Sequence, residues 1–499
     1  MTSPIKAALA AGESVGALWL GLGNPSVAEM AADAGPDCVI FDAQHGLWTR
    51  QTLEAGIGHV RGRVPALVRT ADNTLNSINQ ALDAGAVGVI VPLVETAEEA
   101  AFAVAAAKYP PDGNRSAGGL RPIMNWKPYV ASANSETLVG VMIETKRGLE
   151  NARAIAATPG LDLVFIGTTD LALSLGVFPD NGPVHEAALM TILAACREAG
   201  IACGAFTGYA PLAALRRSHG FQMTVVADDG SLLHAHMKQA VARFRPGKPF
   251  SLAGRTALVT GANRGIGVHL VQGLLDHGVV RVYAAARDPA SVNASDGRVV
   301  PLALDVTSSS QVRAAARQCR DVDLLINNAG VNFNTGLLVE GRDTYARREM
   351  EVNYFGTLAM TRAFAPVLKR NRGGILVNML SILARQNLPA MGSLCASKAA
   401  ALSLTQATRA ELAAQKTHVV AVLPGAVDTD MTRDFQGPKV APAQVAAEIL
   451  DGLERGLEEI YPTEMAAGVA TGLALDPQGT ERMFQGFLPG PAVAARGGQ

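Results

Sequence analysis

Two groups of residues along the 499-residue chain have the types and spacing that chemistry requires. In the first half, Asp42 with His45, Arg69, Glu144 and Asp170 each close or follow an apolar run of strand length. Glu144 and Asp170 end neighbouring runs, so two carboxylates would face one mouth, which suits a hard divalent cation that keeps waters or takes substrate oxygens. A cation beside Arg69 would stabilise charge forming next to a carbonyl, and imidazole has a suitable pKa for moving the proton. Singly, each acid reads as a solvated loop carboxylate and His45 as a satisfied structural histidine; their coincidence favours a site. In the second half, residues 257–267 read A-L-V-T-G-A-N-R-G-I-G, an apolar strand meeting a glycine-rich turn before helical periodicity resumes at Val268. Gly261 permits the tight turn, Gly265 and Gly267 let a pyrophosphate approach backbone N–H groups, and the helix that follows adds its positive N-terminal end.

The elements that must carry these residues follow from length and pattern. A chain of 499 residues fits two domains of about 250. Over residues 1–248, apolar runs at 16–22, 38–42, 66–70, 88–94, 139–144, 163–167, 202–207 and 224–228 alternate with helical patterns. Eight strands with eight helices predict a (β/α)8 TIM barrel, whose chemistry sits at the C-terminal ends of its strands. The proline-stiffened stretch 245–249 reads as a linker. Beyond it, strands at 281–286, 299–304 and 324–326 alternate with helices in doubly wound order, so residues 249–499 form a Rossmann-type α/β domain with a tail over 463–499. That tail begins helically and ends in a glycine-rich stretch expected to be disordered.

Composition narrows the function classes. No apolar run reaches the ~20 residues that would cross a bilayer. The net charge of −1, with both signs mixed throughout, gives no footprint for nucleic acid or an anionic membrane. Small molecules are the expected partners. Cys38, Cys196, Cys203, Cys319 and Cys395 are odd in number and scattered, as for reduced core residues of a cytoplasmic protein, and the N-terminus lacks the apolar stretch of a secretory signal.

The motifs F-D-A-Q-H-G around His45, L-V-R-T at Arg69, L-D-A-G-A-V-G-V-I-V-P from Leu82, Y-P-P-D-G-N-R ending at Arg115, M-I-E-T at Glu144 and F-I-G-T-T-D-L at Asp170 resemble the HpcH/HpaI family of metal-dependent pyruvate aldolases over residues 5–246. The resemblance implies that Glu144 and Asp170 bind Mg2+, Mn2+ or a similar ion, which chelates pyruvate through its keto and carboxylate oxygens. Arg69 would face the enolate oxygen. His45, paired with Asp83, would move the proton through a bound water as a 4-hydroxy-2-oxo acid is cleaved to pyruvate and an aldehyde. The chain departs from the family at Gln44, where Glu is frequent, and at Thr168-Thr169, where Pro-Ala or Pro-Ser is frequent; the metal pair is intact. Residues 116–126, with Arg121 and Trp126, are expected to overhang the mouth, the alternative being an ordinary barrel loop.

In the second half, T-G-A-N-R-G-I-G from Thr260, L-D-V from Leu304, N-N-A-G from Asn327, Asn353 and P-G-A-V-D-T-D-M from Pro424 resemble the short-chain dehydrogenase/reductase superfamily over residues 252–461. By that resemblance Gly261, Asn263, Arg264, Gly265, Ile266, Gly267, Arg287, Asp305, Asn327, Ala329, Lys398, Pro424, Gly425, Val427 and Thr429 bind the dinucleotide, Asp305 at the adenine edge. The second strand ends in Ala286-Arg287 without the acid that would bond a ribose 2′-hydroxyl, and Arg264 adds a second cation, so the cofactor is expected to be NADP(H).

The superfamily's Tyr-x-x-x-Lys, with its helper serine, is matched by Ser381 and Lys398, but the tyrosine position is Leu394. Leucine neither donates nor accepts a proton. Ser393 and Cys395 project about 100° away from it on a helix, and Tyr354 beside Asn353 is a conceivable but packed substitute. Asn353, Ser381 and Lys398 would then hold ribose and shape a pocket without efficient turnover. The chain is thus expected to be a bifunctional aldolase and NADP(H)-dependent oxidoreductase. The alternative is an active aldolase fused to a catalytically impaired NADP-binding sensing or assembly module; a working reductase on a vestigial barrel is the weakest reading. Both resemblances imply a symmetric homo-oligomer.

Overall fold

The computed structural model describes residues 4–179, 182–244, 249–341 and 343–488. The chain divides into two compact units, Met1–Arg243 and Phe244–Gln499.

The first unit is a closed barrel of eight parallel strands, β1 (Val15–Leu20), β2 (Cys38–Asp42), β3 (Ala66–Arg69), β4 (Gly88–Val91), β5 (Leu138–Ile143), β6 (Leu163–Ile166), β7 (Ala202–Ala205) and β8 (Met223–Asp228), each paired to the next and β8 to β1. Every residue of β2 to β7 is buried, which is why these strands read as unbroken apolar runs rather than alternating ones. Side chains of one parity, Trp19, Ile40, Leu67, Ile90, Met142, Phe165 and Val225 among them, fill the interior, joined by Ile5 and Leu9 of the helix Pro4–Ala10. Those of the other parity, such as Phe41, Val68, Val89, Val141 and Val164, pack outward under the helices with Ile57, Ile78, Leu82 and Ile192. One helix departs from the expected ring. β8 runs straight into the helix Asp229–Phe244, in which Leu232, Leu233, Met237, Val241 and Phe244 are 44–85% exposed.

The second unit holds a seven-stranded sheet of β9 (Thr256–Thr260), β10 (Arg281–Ala286), β11 (Val299–Ala303), β12 (Leu324–Asn327), β13 (Gly374–Met379), β14 (Thr417–Val422) and β15 (Glu459–Ile460). All pairs are parallel, in the order β11-β10-β9-β12-β13-β14-β15. The order reverses between β9 and β12, and the crevice beyond the carboxyl ends of those strands is where such sheets bind ligands. Separate apolar clusters cover the two faces. The tail begins helically, as expected, with Glu464–Leu475 and Pro477–Gln485; its end, 489–499, and the linker residues 245–248 lie outside the described residues. All five cysteines are buried and unpaired. Among the described residues no helix is long and apolar enough to cross a membrane.

All three tryptophans, Trp19, Trp48 and Trp126, belong to the first unit, so tryptophan fluorescence follows the barrel alone. Phe165 is fully buried and stacks on Trp19 with ring centroids 5.8 Å apart. Phe165→Ala is expected to cost about 3–5 kcal/mol, read as a lower urea midpoint of the tryptophan transition. An unchanged midpoint would show that the interior repacks around the lost ring.

Candidate active sites in the two units

Asp42 and Arg69 end adjacent strands and are register partners, so their side chains meet at the mouth. The guanidinium binds the carboxylate through two parallel bonds, Nε to Oδ1 at 2.8 Å and Nη2 to Oδ2 at 2.5 Å. Trp19 Nε1 donates to Asp42 Oδ2 at 3.3 Å, and Arg69 lies over the Trp19 ring, 5.0 Å from its centroid. Asp42 Oδ1 also accepts the backbone N–H groups of Gln44 and His45, which shapes the turn presenting the exposed His45 imidazole. Burial pushes the Asp42 carboxyl up, but Arg69, the His45 N–H and Trp19 outweigh it and hold the group below the usual carboxylate range.

Glu144 follows β5 and is 2% exposed. Its Oε2 accepts the Leu93 N–H at 2.8 Å, with Leu93 held at φ 56°. On its other side a Cβ at Gly167 would lie 2.3 Å from Oε1, so a side chain there would displace the carboxylate from this position. Burial raises the Glu144 carboxyl, Asp170 and Asp42 adding to the rise while the Leu93 N–H and Arg69 oppose it. Asp170 is half-buried in the first turn of the helix Thr168–Ser174. Glu144 and Asp170 are thus brought into one electrostatic neighbourhood with Arg69. Among the described residues no three His, Cys, Asp or Glu side chains form a metal cluster. Two carboxylate groups are the donor type a hard cation takes, with water or substrate oxygens completing the shell.

Two expectations for this unit fail for the same reason. Asp83 is the last residue of the helix Leu75–Asp83, about 13 Å long, which runs from the end of β3 back towards the start of β4. It therefore lies at the rim opposite His45 and does not pair with it within the chain. Its carboxylate binds Arg115 at 3.0 Å; the Arg115 side chain is wholly buried between the Tyr109 and Tyr129 rings. Residues 116–126 lie between the helix Ala97–Ala107 and β5, a helix-to-strand connection, and so cover that far rim rather than the mouth. Arg121 accordingly donates to Ala84 O and Glu54 O.

In the second unit, Gly261 and Gly265 have φ of 63° and 56°. A Cβ at Gly261 would come within 3.1 Å of Ala329 Cα, and one at Gly267 within 2.1 Å of Gly261 O. The helix Gly265–Asp276 starts in this turn, with Ile266 packed against the core, and Asn263 Nδ2 bonds Ser291 Oγ at 3.1 Å. Thr429 borders the turn, its Cγ2 3.4 Å from the Cβ position of Gly265. Pro424 O accepts Ile382 N–H, Gly425 N–H bonds Thr463 Oγ1, and Val427 is buried. Arg264 and Arg287 are exposed, Arg264 3.6 Å from Asp430. Asp305 is held by Thr307, whose hydroxyl and N–H chiefly lower its carboxyl, with a smaller effect from Arg287. Asn327 is buried; its Nδ2 bonds Asn378 at 2.8 Å and its Oδ1 lacks a partner. The close-approach turn and the two exposed arginines fit a dinucleotide phosphate; the orphaned Asn327 amide oxygen can only accept and so suits a donor such as a hydroxyl or amino group.

Deeper in the crevice, Asn353 lies in a π-helical turn, Met350–Gly356, a form frequent at functional sites. Its amide bonds the Val331 backbone twice, at 2.9 and 3.0 Å, and Ser397 Oγ at 2.9 Å. Lys398 Nζ donates to Met379 O at 2.8 Å and is pushed down to about 8 by burial, the Glu349 charge opposing. Asn353 and Lys398 converge on Gly330, while Ser381 Oγ accepts Leu383 N–H. Leu394 is 5% exposed. Nearby, Cys395 Sγ is turned to Leu388 N–H, and the Tyr354 ring stands edge-on to Phe355. A residue that pattern alone does not reveal is Glu349, wholly buried, which accepts Phe333 N–H at 2.8 Å. Burial raises its carboxyl, with Ser393, Phe333 and Lys398 opposing. In E-M-E-V-N it looks like an ordinary surface acid.

Residues 16–235 match the family profile described as HpcH/HpaI aldolase/citrate lyase, and residues 255–439 match that of the short chain dehydrogenases. The chain is 39% identical over 260 residues to a 4-hydroxy-2-oxovalerate aldolase of Rhodococcus jostii, covering 49% of this chain and 98% of that protein. It is 34% identical over 257 residues to a hydroxypyruvate/pyruvate aldolase of Paraburkholderia phytofirmans, again 49% and 98%. Among solved structures, a short chain dehydrogenase from Burkholderia cenocepacia, in complex with NADP, is 47% identical and covers 47% of this chain and 99% of its own, with TM-score 0.46.

Because the Glu144 carboxyl is raised in the folded chain, the native state binds more protons than the unfolded one between the usual carboxylate range and the raised value, and stability falls as pH rises through that window. Glu144→Gln keeps an acceptor for Leu93 but has no charge to desolvate. Without metal, the barrel transition of wild type is expected to drop relative to this variant as pH rises from the usual carboxylate range, followed by tryptophan fluorescence on heating. Parallel pH profiles would refute the assignment.

Proposed function

The chain belongs to the HpcH/HpaI aldolase family through its first unit and to the short chain dehydrogenase family through its second, and from this premise we propose that the barrel catalyses divalent-metal-dependent aldol cleavage or formation of a 4-hydroxy-2-oxo acid, while the second unit works with NADP(H) on the aldehyde or a keto product. The observation that carries the first part is the convergence of Glu144 and Asp170 beside the Asp42–Arg69 pair. A bound Mg2+ or Mn2+ would supply the positive charge that polarises a 2-oxo acid. Arg69, held by Asp42 and Trp19, would face the enolate oxygen with little reorganisation as charge develops. His45, exposed at the mouth, moves the proton at the hydroxyl of the substrate through water.

For the second unit, the glycine turn with Arg264 and Arg287 supports NADP(H) binding, and Asn353, Ser381 and Lys398 would position the ribose. A second reading, an NADP-binding sensing or assembly module with impaired turnover, is favoured by Leu394: the position that should carry the proton donor is buried hydrocarbon. A symmetric assembly of copies belongs to either reading.

Pyruvate release from 4-hydroxy-2-oxo acids is expected to stop on chelation, to return with Mn2+, and to fall on the order of 10²–10³-fold in Arg69→Ala. Activity that survives both chelation and Glu144→Ala would sink the metal-dependent reading and direct the search to a Schiff-base lysine. The nucleotide unit is expected to bind NADPH in preference to NADH, with Arg287→Ala weakening it, and to reduce simple aldehydes slowly. Since a positioned general acid contributes ~10²–10⁴ in rate, Leu394→Tyr should raise reduction where the ring fits. Fast wild-type reduction insensitive to Ser381→Ala and Lys398→Ala would remove the impaired reading.

A further inference from the structure

Asp170 depends on a short support. The helix Thr168–Ser174 that carries it has seven residues and opens on Gly167, which offers no side-chain cap. So short a helix has little stability of its own, and its first residue has no intrahelical use for its N–H. Two bonds from different elements fix that residue. Thr168 Oγ1 donates to Phe206 O, just past β7, at 3.0 Å. Thr168 O is bonded at 2.9 Å by Nε2 of His185, which projects from the long helix Pro183–Ala199 and is 3% exposed. A carbonyl only accepts, so Nε2 carries the proton. The other ring nitrogen, Nδ1, is buried without a partner, which a bare lone pair tolerates far better than an N–H would.

Held by its hydroxyl on one side and its carbonyl on the other, Thr168 cannot turn without breaking a buried bond. It stands next to Gly167, the residue pressed against Glu144, and two positions before Asp170. The clamp therefore fixes the turn between the two carboxylates, although neither His185 nor Thr168 bonds either of them. We propose that His185 is a positioning residue of the barrel's cation site, which through Thr168 O sets Asp170 against Glu144. The role rests on Glu144 and Asp170 being the cation's ligands, as proposed above.

The test is Mn2+ affinity of the full chain, measured from the electron paramagnetic resonance of free Mn2+, with tryptophan fluorescence confirming that the barrel stays folded. Outer-shell partners of metal ligands are typically worth 10–100-fold in affinity, and His185→Phe is expected to weaken Mn2+ binding by about that factor. His185→Gln, whose amide can donate to the same carbonyl, should retain most of it. If His185→Phe loses the barrel transition, Thr168→Val, which removes only the hydroxyl bond, takes its place with the same expected weakening. Wild-type binding that persists unchanged in the folded variant overturns the clamp while leaving the aldolase proposal standing. A wild type that binds no Mn2+ overturns that proposal and the clamp with it.

Discussion

The buried pairing of Asp42 with Arg69 is the constraint on which the barrel's mouth depends. Neighbouring strands in register deliver the two side chains to one place, and two parallel hydrogen bonds with a tryptophan edge satisfy them there. Removing either partner would strand a charge in a dry site, a far larger penalty than the net value of the pair. The same carboxylate accepts the Gln44 and His45 N–H groups, so the turn that presents His45 and the Arg69 guanidinium share one anchor. One guanidinium among Asp42, Glu144 and Asp170 leaves the mouth negative, the electrostatic ground for a cation.

In the second unit position 394 carries buried hydrocarbon, while the polar residues proposed to hold the ribose are themselves held in place. Asn353, Ser381 and Lys398 retain firm backbone anchors. Lys398, buried and lacking a phenol beside it, has the equally buried Glu349 as its opposing charge. Burial acts on both groups in the direction of their neutral forms, each charge partly opposing that shift in the other.

Sequence pattern made the strands legible because burial on both faces writes them as continuous apolar runs, and the mouth residues legible because they interrupt those runs at one end. It left the rims less clear. Motif resemblance drew Asp83 towards His45 and residues 116–126 towards the mouth, whereas chain direction puts both on the far side: helices run opposite to the strands, so what ends a helix cannot meet what ends a strand. Glu349 left no trace, since a buried acid and a solvated one are spelled alike. The helix Asp229–Phe244 carries enough apolar residues to pass for a packed one, yet in the chain alone those side chains face outward.

The contact between Glu144 and the bare Cα of Gly167 also ties the two positions together. With a glutamate carboxylate filling the space where a methyl group would stand, a side chain at position 167 would have to push that carboxylate aside. Changes at the two positions are therefore coupled in one direction only: a shorter residue at 144 frees the turn, whereas a larger one at 167 displaces the carboxylate from its bond to the Leu93 N–H.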